Sequence, residues 1–95
     1  MANKVIELKV RNDLDVLVGR KLGEKLYSEN LKEPIDVDDI VTFIFPKTIN
    51  NFTASFVQGL LAEIFMIKGK AKAIEDVKIV TENPDLEKEF YKKFY

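Results

Sequence analysis

The run Ile40-Val41-Thr42-Phe43-Ile44-Phe45 stops at Pro46. After the polar pair Asn50-Asn51 it gives way to Phe52-Thr53-Ala54-Ser55-Phe56 and a strongly apolar segment reaching Lys68. A near-continuous apolar run of this length fits a strand covered on both faces, and proline cannot continue a central strand because it lacks the ladder donor. Thr53 has the chemistry of a helix N-cap. Phe52, Phe56, Leu60 and Ile64 then fall on one stripe, broadened by Val57, Leu61, Phe65 and Ile67. A strand, a polar loop and a helix start are therefore expected in succession. In an open α/β sheet such a junction is where ligands and partners dock, because the first helical N–H groups are unpaired there.

The remainder of the chain supplies the partners for this unit. Val5-Ile6-Glu7-Leu8-Lys9-Val10 alternates with period two, which predicts an edge or near-edge strand. Leu14, Val18, Leu22 and Leu26 recur every four residues, flanked by Leu17 and Tyr27, and predict an amphipathic helix over 14–31 capped by Asp13 or Asp15. Gly19 and Gly23 within that span suggest close approach to a neighbouring backbone. Pro34 marks a turn, Lys68-Gly69-Lys70 a helix stop with solvated basic residues reaching Lys72. Val77 to Thr81 reads as a third strand, and Asn83-Pro84-Asp85 opens a last helix. The aromatic tail, Phe90, Tyr91, Phe94 and Tyr95, is expected to dock on the core or to form a partner surface. The order β-α-β-α-β-α predicts one small α/β domain over 1–95, with a mostly parallel sheet packed with helices.

Composition removes several function classes. With 15 basic and 16 acidic residues the net charge is −1, so counterion release offers little affinity for nucleic acid. The chain has no cysteine and no histidine. It therefore has no disulfide framework, no thiolate nucleophile, and neither the commonest metal ligand nor the commonest general base. Asp36, Asp38 and Asp39 cluster before the central strand, but their spacing matches no calcium loop, and charge at the start of a strand explains them more simply. The longest apolar tract, Leu60 to Ile67, is interrupted by Glu63 and is too short to span a membrane. With no signal-like apolar core at Met1 to Lys4, a cytoplasmic location is expected.

A resemblance adds to this reading. Gly19-Arg20-Lys21-Leu22-Gly23 in an early helix, Ile44-Phe45 closing a strand, then Ile49, Thr53-Ala54-Ser55-Phe56 and Phe65, resemble the STAS-like domain family of uncharacterised bacterial and phage proteins. That family is in turn distantly similar to the anti-sigma-factor antagonists. Their loop after the central strand carries an Asp-Ser-Ser/Thr-Gly sequence whose Ser is phosphorylated by a kinase partner. Aligned on that loop, Thr53 takes the place of the Asp, Ala54 that of the phosphorylated Ser, Ser55 that of the next hydroxyl residue and Phe56 that of the Gly. The usual phospho-acceptor is thus missing, which leaves Ser55 and Thr53 as the candidate acceptors. The resemblance implies a binding module whose partner is a kinase-type ATPase or a related signalling protein.

The leading expectation is a non-enzymatic regulatory module that binds another protein through Arg20, Thr48, Asn50, Asn51, Phe52, Thr53, Ser55 and Phe56. Phe52 or Phe56 would anchor the contact if exposed. Thr53 capping its helix and Ser55 filling the first turn is the plainer role for the two hydroxyls. No cofactor and no metal is expected. One alternative is a homodimeric structural or phage-encoded interference factor, built on the apolar helix and the aromatic tail. The other is a binder of a small anion or nucleotide at the helix start, whose chemistry would need Asp, Glu, Lys or Tyr as its base.

Overall fold

The computed structural model describes residues 3–11 and 13–94. Strand β1 (Asn3–Glu7) is followed by the short β2 (Val16–Leu17) and helix α1 (Arg20–Asn30). Next come β3 (Ile40–Ile44), the short β4 (Asn51–Phe52) and α2 (Ala54–Lys68). The chain continues with α3 (Lys70–Asp76), β5 (Val77–Val80) and α4 (Pro84–Phe94). β1, β3 and β5 form a parallel sheet in that spatial order, so the apolar run is central and the alternating first strand lies at an edge. The protein is an α/β fold.

The strands are added in one direction across the sheet, and crossovers of one hand then place every helix on the same side. Burial follows that rule. Ile6, Val41, Phe43, Val77 and Ile79 are buried under the helices, whereas Val5, Glu7, Lys78 and Val80 on the opposite face are exposed. The expectation that Ile40 to Phe45 is covered on both faces therefore fails. Ile40, Thr42 and Ile44 are only half-buried, because no helix crosses to their side.

The first helix is shorter than its periodicity predicts. Val16 and Leu17 pair in parallel with Asn51 and Phe52, and Gly19, at φ 96°, turns the chain into a helix that begins at Arg20. A positive φ is open to glycine at no steric cost, so the valine-rich segment before Gly19 is extended and the fourfold spacing of Leu14 and Val18 is incidental. No side chain caps this helix, and neither Asp13 nor Asp15 serves as its N-cap. Gly23 does meet a neighbouring backbone. A Cβ there would collide with the Phe56 carbonyl oxygen and the Leu60 nitrogen, and one on Gly59 would collide with the Arg20 carbonyl. Helices α1 and α2 thus cross backbone to backbone.

Helix α2 is buried at Phe56, Val57, Gly59, Leu60, Leu61 and Ile64, between α1 and α4, while towards its C-terminal end Phe65 and Ile67 are half-buried and Met66 is exposed. Phe90 of α4 packs edge-on against Phe45 and Phe52, each with ring centroids 5.9 Å away. Of the aromatic tail expected to dock on the core or to form a partner surface, Phe90 is buried and Tyr91 half-buried. The Phe94 side chain and Tyr95 lie outside the described residues. Of Lys68, Lys70 and Lys72, expected in a solvated loop, Lys68 ends α2 with its side chain buried, and Lys70 and Lys72 lie in helix α3. Its Lys- and Ala-rich sequence suits a helix, and Gly69, at φ 78°, separates it from α2.

Candidate functional site

The short β2–β4 ladder brings the segments preceding α1 and α2 side by side at the carboxyl end of the sheet. It extends through Asn50 N–H donating to the Asp15 carbonyl (2.7 Å) and Thr53 N–H to the Leu17 carbonyl (3.0 Å). The two helices consequently start next to each other. Thr53 joins them. Its Oγ1 accepts from the N–H of Gly19, the residue that opens α1 (3.1 Å), and from the N–H of Phe56 in the first turn of α2 (3.2 Å).

This arrangement fixes the direction of the remaining hydroxyl protons. A threonine hydroxyl has two lone pairs and one proton. With both lone pairs engaged, the Thr53 proton goes to Ser55 Oγ, 3.0 Å away. Ser55 then accepts that bond and has its own proton free to point outward from an exposed position. No carboxylate or amine contacts either hydroxyl among the described residues, so neither is set up as a nucleophile, which needs an adjacent base.

The electrostatics favour an acceptor at the same place. Each helix start carries partial positive charge from its unpaired N–H groups. Neither α1 nor α2 has an acidic residue in its first turn, whereas α4 has Asp85 and Glu87 in its own. The first residues of α1 are Arg20 and Lys21, cations on the end that a helix dipole makes positive. The Arg20 guanidinium pairs with Glu24 at 3.1 Å, and both side chains are more than half exposed. Such a pair is held weakly and opens readily.

The structure divides the residues expected here into two groups. Arg20, Thr48, Asn50, Asn51 and Ser55 are exposed and Thr53 is half-buried; Asn50 and Asn51 lie at the β2–β4 ladder, Arg20, Thr53 and Ser55 at the two helix starts, and Thr48 in the turn that leads to them. Phe52 and Phe56, expected as anchors if exposed, are buried. They are 2% and 0% exposed, their rings stack 6.2 Å apart, and Phe52 also packs against Phe45 at 5.6 Å. The stripe that made them attractive anchors is the stripe that faces the core. Arg20 was expected here from within a longer helix; sequence reasoning missed that it opens α1 and so brings a second helix start to this place. The Val-Leu-Val-Gly run ahead of Arg20 was the available signal for it.

The opposite end of α2 is built differently. The Lys68 side chain is 0% exposed, and its ammonium donates to the carbonyls of Val37 and Asp39 and to Asp76 Oδ2 (3.1 Å). Three donors meet three acceptors. The Lys68 bond holds the Asp76 carboxyl below its usual range. Asp39 is buried as well, its Oδ2 accepting from the Asp36 N–H (2.9 Å). The acidic cluster thus closes the loop before β3, and no group of acidic side chains arranged to hold a metal occurs among the described residues.

Tyr27, buried between α1 and α2, has a hydroxyl with no hydrogen-bond partner among the described residues; burial first, then the nearby Glu63 carboxylate, push its phenol up. No helix of the described residues is long and apolar enough to cross a membrane. Comparison with models of protein families, with curated proteins and with solved structures finds no match to this chain.

Proposed function

We propose that this chain is a non-enzymatic regulatory module that binds a signalling partner through the paired starts of α1 and α2. The observation that carries the reading is the Thr53 bridge. One hydroxyl ties the two helix starts together, caps α2, and leaves the Ser55 proton free beside the first turn of α1, which has no side-chain cap. A surface that offers oriented donors and positive potential suits an acidic or phosphorylated segment of the partner, the chemistry that helix starts and an arginine recognise. Thr48, Asn50 and Asn51 supply the polar rim, and Arg20 leaves Glu24 to pair with the incoming anion. Phe52 and Phe56 support the loop from below. The resemblance to STAS-like domains and anti-sigma-factor antagonists points to a kinase-type ATPase or a related signalling protein as the partner class.

Arrays of acidic, phosphorylated and neutral peptides test this reading. The wild-type chain is expected to select acidic or phosphorylated members, and Ser55→Asp and Arg20→Glu to lose that selection while keeping a wild-type melting curve. Equal retention of neutral peptides, or unchanged selection by both variants, would remove the reading.

A further inference from the structure

We propose that the uncovered face of the β1-β3-β5 sheet is a homodimer interface, formed by two copies about a two-fold axis parallel to the strands. All-parallel sheets are almost always covered on both faces, and here one face carries every helix while the other carries none. Val5 is 51% and Val80 52% exposed on that open face, with Ile40, Thr42 and Ile44 half-buried between them. The polar group at its centre is already satisfied, since Thr42 Oγ1 bonds to Asn3 Oδ1 at 3.2 Å.

Charge complementarity selects a second copy as the occupant. Within the described strands, the open face has one acid, Glu7 on edge strand β1, and one base, Lys78 on edge strand β5, and just past the end of β1 the exposed Lys9 follows Glu7 at the same parity. The central strand contributes no charge. A two-fold axis along the strands lays β1 of one copy over β5 of the other and β3 over β3, as a self-complementary interface requires. The register aligns Val5 with Thr42 and Lys78, and Glu7 with Ile44 and Val80. Glu7 therefore falls one pleat from Lys78 of the second copy, twice over, while Ile44 meets its own counterpart. A net charge of −1 leaves little long-range repulsion between copies.

The face offers on the order of 300 Å² per copy, under half the ~800 Å² of a standard interface, so the dimer proposed is a weak one. This axis also keeps both carboxyl ends pointing the same way. Resting on the function proposed above, the dimer would present two helix-start sites to one partner, and their linkage would raise the apparent affinity.

Sedimentation equilibrium, run without any partner from about 10 μM to about 1 mM, tests the dimer separately from the binding site. The expected average mass climbs from the monomer value of 10.9 kDa towards twice that. Ile44→Lys should stay monomeric with an unchanged far-UV spectrum, Glu7→Lys should dimerise at least tenfold more weakly, and Glu7→Lys with Lys78→Glu should restore association. A wild-type chain that stays monomeric at the highest concentration overturns the proposal and leaves the face to a different partner. Unaltered dimerisation of Ile44→Lys, or failure of the charge swap to rescue, overturns this interface.

Discussion

The two ends of α2 are held by polar contacts of opposite character. At its C-terminal end, Lys68 is fully buried and each of its three donors has an acceptor, so the cluster has nothing left to offer a ligand. At its start, Thr53 spends both lone pairs on backbone N–H groups, yet the chain of hydroxyls ends in an exposed Ser55 with a proton to give. A saturated network fastens the fold; one that ends unsaturated at the surface is available for binding. The charges alone would mislead, because the end richer in ions is the inert one.

The largest effect is expected where the saturated end is broken. Lys68→Met leaves the Val37 and Asp39 carbonyls without their donor and Asp76 with Lys72 alone, at 3.5 Å; at about 1–3 kcal/mol for each unsatisfied buried group the loss is about 3–5 kcal/mol, and urea denaturation should show it. The same cluster predicts the acid limb of stability. Because the folded Asp76 carboxyl sits below its ordinary value of 3.8, its contribution is complete above that range and is lost as pH falls through the lowered value. Asp76→Asn should therefore flatten the acid limb of a plot of urea midpoint against pH. An unchanged limb would show that Lys68 is held by the carbonyls alone.

Next is the crossing that keeps the two helix starts together. Gly59→Ala places a methyl against the Arg20 carbonyl, backbone against which no side chain can give way. The expected loss is about 3 kcal/mol, at the upper end of the usual cost of overpacking, with α1 shifted relative to α2. Calorimetry measures the cost, and amide shifts along 20–24 report the displacement. A Gly59→Ala protein as stable as wild type would mean that the helices do not cross backbone to backbone.

The smallest of the stability effects sharpens the contrast at the binding end. Thr53→Val keeps the side-chain shape but removes the acceptor of the Gly19 and Phe56 N–H groups, at about 1–2 kcal/mol, the upper range for a lost cap. It also frees Ser55 from its fixed proton direction. Urea denaturation and hydrogen exchange at the Gly19 and Phe56 amides check it, both amides being expected to exchange faster. Unaltered exchange would contradict the bridge.

Much of the fold was legible in the sequence because several elements are marked by strong local chemistry. Pro46 ends the central run, Thr53 caps α2, Gly69 stops it, and Asn83 opens α4, its Oδ1 accepting from the Asp85 N–H at 3.1 Å. What stayed hidden depended on non-local facts. Val16 and Leu17 are extended because β4 is there to pair with them, and the period-four pattern around them carries no sign of that strand. A run such as Ile40 to Phe45 reads alike whether one face or both are covered, since the strand order that leaves one face open belongs to the topology. At the candidate site the sequence showed the loop and helix start but not which side chains are exposed. Apolar side chains beside a loop read as anchors, but Phe52 and Phe56 lie on the core stripe, while the α1 start that completes the surface is distant in sequence.

The most direct measurement is a backbone amide chemical-shift titration of the chain with O-phosphoserine, an anion that any unsaturated donor surface should accept. The account predicts concentration-dependent shifts at Arg20, Lys21, Ala54 and Ser55, weakened in Ser55→Ala, with the amides around Lys68 and Asp76 unmoved. Shifts centred on the Lys68 end, or none at the two helix starts, would contradict it.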